Sequence, residues 1–332
     1  MSSRDDIFSQ VQKLLNDVPV ILMGSGVTVP MNIPGMWKLA EHLKSSLGDV
    51  YKDDEGWKKV VSDLDNDVDL ENSLTGKNLS DTLMKDVALE TWKFINSADL
   101  SLLMGRKNSH HLLDLSNLIK EFYSTSQKNV NIVTTNYDRA IEYACDEARL
   151  PVDKRFSGMY IKTLSTAPVK KKDIVNLFKI HGCLDLFSDT DGAVLSIPLQ
   201  HDVPKELVPA IIAPGTSKYE SVLVHNYNRV LLSNVDEIIN NATSYLCYGY
   251  GFNDNHIQGP MLEQIKAGKP IVIVSREVYD DKITLIKKHS SNFIIIQMDA
   301  ENNSSTRFTS QDLDIVVDGD YWSLGGFLSI FN

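Results

Sequence analysis

Short apolar runs rich in β-branched residues recur along the chain. They are PVILM at 19–23, VNIVTT at 130–135, LFKI at 177–180, AIIA at 210–213, YLCYGY at 245–250, PIVIV at 270–274 and FIIIQM at 293–298. They read as buried strands. Several are separated by stretches in which apolar positions return at helical spacing: Tyr137 to Ala148, Lys218 to Ile239, His256 to Ala267 and Tyr279 to His289. The opening MSSRDDIFSQ reads as a Ser-capped, acidic helix start. Strands alternating with helices predict an α/β fold with a mainly parallel sheet covered on both faces.

The pattern changes between Leu47 and Arg106, where acidic polar segments precede an apolar-periodic stretch, LMKDVALETWKFI, and no strand is convincing. A helical insertion over about 48–106 is expected there, inside a single domain spanning 1–332. Pro151 to Gln200 reads as loop-rich, with a lysine run at 170–172 that fits a solvated turn. The tail, about 311–332, ends in DYWSLGGFLSIFN, unusually apolar for a terminus. It either docks on its own core or meets another subunit.

Composition narrows the function classes. With 42% apolar and 23% charged residues the chain can bury a substantial core. Its longest apolar stretches, such as Val18 to Met23, fall far short of the ~20 residues of a bilayer span. The N-terminus lacks a secretory pattern, so a cytoplasmic protein without a membrane partner is expected. A net charge of −11 disfavours direct nucleic-acid binding. It leaves room for a small anionic ligand, because backbone N–H groups and a helix N-terminus bind phosphate locally. Cys145, Cys183 and Cys247 are widely spaced and form no C-x-x-C pair, which predicts neither a disulfide framework nor a metal site.

The candidate chemistry lies at strand ends. The first strand runs into Gly24, Ser25, Gly26, Val27 and Thr28, and glycines there let a backbone approach a pyrophosphate; the alternative is a tight strand-to-helix turn. VTTNYD places Asn136 and Asp138 where the next strand ends, and Asp138 is either a ligand contact or a helix cap. KIHG places His181, a candidate general base, before Gly182. GYGFNDNH carries Gly249, Gly251, Asn253 and Asp254 at a helix start, where capping is the plain account of an acidic side chain, and PIVIVS ends on Ser275.

In order, GSG-x-T with N-I-P, T-T-N-Y-D, K-I-H-G, G-Y-G-F-N-D-x-H and I-V-I-V-S resemble the sirtuin (silent information regulator) family from Val18 to about Glu277. The closer likeness is to its bacterial antiphage-defence NADase branch. The resemblance implies a Rossmann-like, doubly wound fold with an inserted helical lobe. It implies that Gly24, Ser25, Gly26, Thr28 and Pro34 line a site for NAD⁺, with Asp138, Gly249, Gly251, Asp254 and Ser275 contributing to its binding. Asn136 and His181 would be the catalytic pair. Zinc is not expected, since the four-Cys module of deacylase sirtuins cannot be built here. Gly35, Met36 and Trp37 replace the end of the family's I-P-D-F-R segment and Thr135 replaces a Gln, which counts against acyl-lysine peptide binding.

The activity so implied is hydrolysis of NAD⁺ to nicotinamide and ADP-ribose, with NAD⁺ as substrate and no further cofactor. An ungated NADase would deplete its own host. A gate is therefore expected, through homo-oligomerisation, a phage protein, or an operon partner such as a HerA-like ATPase. Three other readings stay open: a sensor that binds NAD⁺ or an ADP-ribose derivative without turnover, a deacylase or ADP-ribosyltransferase, and a nicotinamide-dependent oxidoreductase.

Overall fold

A computed structural model describes residues 4–125, 128–215 and 226–331 of the chain. The helices are α1 (Arg4–Leu14), α2 (Met36–Leu47), α3 (Glu55–Asp65), α4 (Leu70–Leu74), α5 (Asp81–Gly105), α6 (His110–Tyr123) and α7 (Ala140–Glu147). After them come α8 (Asn226–Asn241), α9 (Asn255–Lys266), α10 (Asp280–His289) and α11 (Leu324–Leu328). The strands are β1 (Val20–Met23), β2 (Asn129–Thr134), β3 (Val152–Asp153), β4 (Phe156–Ser157), β5 (Lys162–Leu164), β6 (Ile174–Lys179) and β7 (Gly182–Ser188). The rest are β8 (Val194–Ser196), β9 (Val208–Ile211), β10 (Tyr245–Tyr248), β11 (Ile271–Ser275), β12 (Phe293–Met298), β13 (Ser305–Thr309) and β14 (Asp314–Asp318). The serine cap expected before α1 and the first turns of the helix expected from Lys218 lie outside the described residues.

Among the described residues, nine strands form the main sheet in the order β14-β13-β12-β11-β10-β1-β2-β6-β3. From β12 to β3 all pairs are parallel; β13 and β14 add an antiparallel edge. Side chains along each parallel strand alternate between two cores, as the pleat requires. Ile21, Ile132, Leu177, Leu246 and Val272 face the core shared with α1, α6, α7 and α11. Leu22, Val133, Phe178, Cys247 and Ile273 face the core shared with α8, α9 and α10. Both faces are covered, which defines a doubly wound, Rossmann-like α/β fold. No helix among the described residues is long and apolar enough to cross a membrane.

Helices α2 to α5 form a helical lobe with its own core, in which Leu43, Trp57, Val60, Leu74 and Leu83 pack with Ala213. Asp54, Asp69 and Ser80 cap α3, α4 and α5 with side-chain oxygens, so the polar punctuation of this stretch sets its helix starts.

Three expectations are corrected. Pro151 to Gln200 is not loop-rich: it carries β3 to β8, most of them in a second, antiparallel sheet ordered β4-β5-β8-β7-β9. Four of these strands are only two or three residues long, too short to show periodicity, and they exist because partners distant in sequence pair with them. AIIA at 210–213 overlaps β9 and belongs to that second sheet rather than the parallel one. The helix expected from Tyr137 starts at Ala140, because the preceding residues form the turn that carries candidate site residues. For the tail, the structure selects self-docking: Leu324, Phe327 and Ile330 are buried, Tyr248 Oη donates to the Trp322 carbonyl at 2.9 Å, and Phe327 meets Tyr248 edge-on.

Candidate functional site

Strand β1 lies centrally, with β2 on one side and β10 on the other, so the chain reverses its direction of winding beside it. Crevices at the carboxyl ends of strands open at such switch points. Here the cleft is bounded by the loops after β1, β2, β6 and β10, and a wall from the helical lobe closes it.

The loops after β1 and β10 are in backbone contact. Gly24 N–H donates to the Tyr248 carbonyl and Gly26 N–H to the Gly249 carbonyl, both at 3.1 Å. A Cβ on Gly24 would collide with the Gly249 carbonyl oxygen, and one on Gly26 would lie 2.6 Å from Gly249 Cα. Gly249 itself has a φ of 55°. These glycines therefore serve loop-against-loop packing. Val27 and Thr28 N–H groups donate to Gly24 and Ser25 carbonyls, closing a tight 3₁₀ turn. The expectation of a cradle of free N–H groups across this turn is corrected, since those of Gly24, Gly26, Val27 and Thr28 are bonded within the protein. The close approach that the glycines allow is between two loops.

Asn136 ties the second loop to the first. Its Nδ2 donates to the Gly24 carbonyl at 3.0 Å and to Thr28 Oγ1 at 3.4 Å, and Thr28 Oγ1 donates to Asp138 Oδ2 at 3.2 Å. Asp138 Oδ1 accepts the Ala140 N–H at 3.2 Å, so this carboxylate both caps the turn into α7 and borders the cleft. Burial pushes its pKa up to about 6, against the opposing charge of Lys179. Lys179 sits behind the loop: its Nζ donates to the Asp138 carbonyl and pairs with Glu142 Oε2 at 3.4 Å. Glu142 is held ionised despite its burial, because Lys179 and Lys154 flank it.

His181 occupies the turn between β6 and β7. Gly182 follows with a φ of 89°, and a Cβ there would meet the Ala210 carbonyl. The imidazole Nε2 lies 2.6 Å from Asp254 Oδ2, while Asp254 Oδ1 accepts the His256 N–H at 3.1 Å and so caps α9. Asp254 is 2% exposed and His181 8%. With Nε2–H directed at a carboxylate, the other ring nitrogen, Nδ1, is the one available as a base. Sequence reasoning placed Asp254 on the ligand; the geometry joins it to the histidine. The signal was the acidic cap itself, but nothing in the sequence indicated where its second oxygen points.

Gly24, Ser25, Thr28 and Pro34 line the cleft from the first segment, Asn136 and Asp138 from the second. His181, Gly251 and Asp254 complete the set. Gly26, Gly249 and Ser275 do not line it: the two glycines are packed against each other, and Ser275 ends β11 in register with Gln297. Two residues that the sequence did not single out do line it. They are Tyr137, whose hydroxyl donates to the Ile212 carbonyl at 2.6 Å, and Glu71 of α4.

The wall from the lobe is fixed to the catalytic-loop segment by a buried ion pair. Arg139 Nη2 lies 2.7 Å from Asp99 Oδ2, Tyr143 Oη donates to the same carboxylate at 2.5 Å, and Asn96 Oδ1 accepts from Arg139 at 2.7 Å. The three cysteines are free and buried on separate elements. Among the described residues no group of three or more His, Cys, Asp or Glu side chains could hold a metal ion.

Residues 130–294 match the family model of the SIR2-like domain. The chain carries a SIR2-like domain, and the SIR2-like family fits it. Comparison with curated proteins finds no match. Solved structures similar to the chain include one described as Sir2 bound to acetylated peptide, at 12% identity over 86% of this chain and 91% of that one, with a TM-score of 0.43. A structure described as showing the basis for the mechanism and regulation of Sir2 enzymes aligns at 12% identity over 85% and 90%, with a TM-score of 0.46. A Sir2 homolog–NAD complex aligns at 12% over 86% and 87%, with a TM-score of 0.45.

Proposed function

We propose that the chain is an NAD⁺ hydrolase that releases nicotinamide and ADP-ribose and acts as a gated effector of antiphage defence. The observation that carries this reading is the His181–Asp254 pair, 2.6 Å apart, facing the same cleft as Asn136 and Asp138. A binding site alone needs no histidine whose tautomer is set by a buried carboxylate. In the reaction the C1′–N1 bond of the nicotinamide riboside breaks, and its electron pair goes to the ring nitrogen, neutralising the pyridinium. Water then adds to the oxocarbenium carbon, and the proton it loses passes to His181 Nδ1. The imidazolium so formed is stabilised by Asp254. The two loops joined through Asn136 hold the sugar in place, and Asp138 stabilises the developing cation.

The test is incubation of the purified chain with NAD⁺, alone and with a HerA-like ATPase encoded beside it, followed by chromatography of nicotinamide and ADP-ribose. Release is expected in at least one condition, and it falls by about 10²-fold or more in a folded His181→Ala variant. Folded His181→Ala or Asn136→Ala protein with full turnover contradicts the assignment. One observation favours a second reading, a sensor that binds NAD⁺ or an ADP-ribose derivative without turnover. The Asn136 amide nitrogen is already engaged with Gly24 and Thr28, which suits a scaffold as well as a catalyst. Binding of NAD⁺ with no release in either condition selects the sensor.

A further inference from the structure

The helical lobe contributes an acidic side chain to the cleft. Glu71 sits in α4, a single short helix anchored at both ends. Asp69 caps it, accepting from the Asn72 backbone at 3.0 Å and from Asn72 Nδ2 at 2.6 Å. Leu70 and Leu74 are buried in the lobe core, and Leu74 packs so closely on Gly215 that no Cβ would fit there. The helix therefore presents the half-buried Glu71 to the cleft from a fixed position, beside Tyr137 and opposite the loop that carries Asp138.

The charges around the cleft are of one sign. Among the described residues its ionisable lining consists of the carboxylates of Glu71, Asp138 and Asp254, the phenols of Tyr137 and Tyr250, and His181, with no lysine or arginine. The nearest buried ammonium, that of Lys179, lies behind the Asp138 loop and is held by the Asp138 carbonyl and Glu142. A lining of this kind favours a cation and disfavours added negative charge, and the effect is strengthened where water is excluded. In a pyridine dinucleotide the only positive group is the oxidised pyridinium ring.

We propose that Glu71 faces the nicotinamide ring of the bound dinucleotide and reads its charge, so that the helical lobe makes the cleft selective for the pyridinium cation over an uncharged ring. The inference rests on the nucleotide-site reading above but not on turnover. Glu71 acts on recognition, and Asn136, His181 and Asp254 keep their roles.

The experiment measures dissociation constants of the full chain for 1-methylnicotinamide, a permanent pyridinium cation, and for nicotinamide, its uncharged counterpart, by NMR titration. The wild type is expected to favour the cation, on the order of tenfold. Glu71→Gln loses that preference while its affinity for nicotinamide is unchanged, and Glu71→Asp, which keeps the charge, retains part of it. A preference that survives in Glu71→Gln overturns the proposal. So does an equal loss for both ligands, which marks a packing role, and so does a wild type that binds neither. Were Glu71→Gln to unfold, the Glu71→Asp variant and the wild-type ratio decide the matter alone: a wild-type ratio near one overturns the proposal. Nicotinamide release from NAD⁺ is scored separately. Cation preference without release removes the hydrolase and leaves Glu71 in place; release without cation preference removes only the role of Glu71.

Discussion

Asp254 Oδ1 caps α9 while Oδ2 meets His181 Nε2, so an Asp254→Asn change separates the two roles. Asparagine caps a helix about as well as aspartate, so the melting temperature is expected to stay within a few degrees of the wild type. Its amide cannot stabilise an imidazolium, and nicotinamide release is expected to fall by about 10²-fold. Equal losses of stability and activity would reduce Asp254 to a cap. Asp138 makes a pH-dependent prediction. Burial raises its pKa to about 6, so the native state holds a proton more tightly than the unfolded chain does. The stability this contributes is complete below the ordinary carboxylate range and is lost as pH rises through about 6, by up to about 3 kcal/mol. Asp138→Asn has no such penalty. Its melting temperature relative to the wild type is therefore expected to climb between pH 4 and pH 7; a difference independent of pH would show that the carboxylate is not buried as described.

Between elements, the Asp99–Arg139 pair joins α5 of the lobe to the turn before α7. Arg139 is 4% exposed and Asp99 is fully buried, so removing one partner leaves the other charged and desolvated. Asp99→Ala is expected to destabilise the chain by about 3–5 kcal/mol, read by urea unfolding. Asp99→Asn, which keeps the hydrogen bonds to Tyr143 and Arg139 but not the charge, is expected to cost less. Comparable stability in the wild type and Asp99→Ala would mean that the lobe is not clamped here. The same element scale explains where the sequence was legible. Phe293–Met298 and Val20–Met23 are continuous apolar runs and emerge as strands almost to the residue. Val194–Ser196 and Lys162–Leu164 carry mixed side chains over three residues, and only pairing with each other and with β7 makes them strands.

For the whole molecule, the apolar tail is the feature whose fate depended most on the fold. Gln12 Nε2 donates to the Ile330 carbonyl, Phe331 meets Phe122 edge-on, and α11 seals the core beneath α6. Deleting residues 321–332 is expected to expose surface previously covered by Leu324, Phe327 and Ile330. The cost is about 1.5–3 kcal/mol for each large apolar side chain removed, together with a rise in aggregation seen by light scattering. A truncated chain that melts with the full chain and stays dispersed would show that the tail belongs to no core.

The alternation of apolar runs with helical spacing determined the doubly wound class, because a strand covered on both faces must be apolar throughout and the helices that cover it must be amphipathic. The positions of Asn136, Asp138 and His181 at strand ends were legible for the same reason: turns that follow buried strands are marked by polar residues and glycine. What the chain alone did not reveal was the use of each polar atom. Whether Gly24 meets a ligand or Gly249, whether Asp254 faces a substrate or His181, and whether Glu71 reaches the cleft at all depend on contacts between segments over a hundred residues apart in sequence. Hydrogen bonds and charge interactions act over a few ångströms in space. Periodicity along one chain carries no information about which distant atoms arrive within that range, so those choices were made by the tertiary structure.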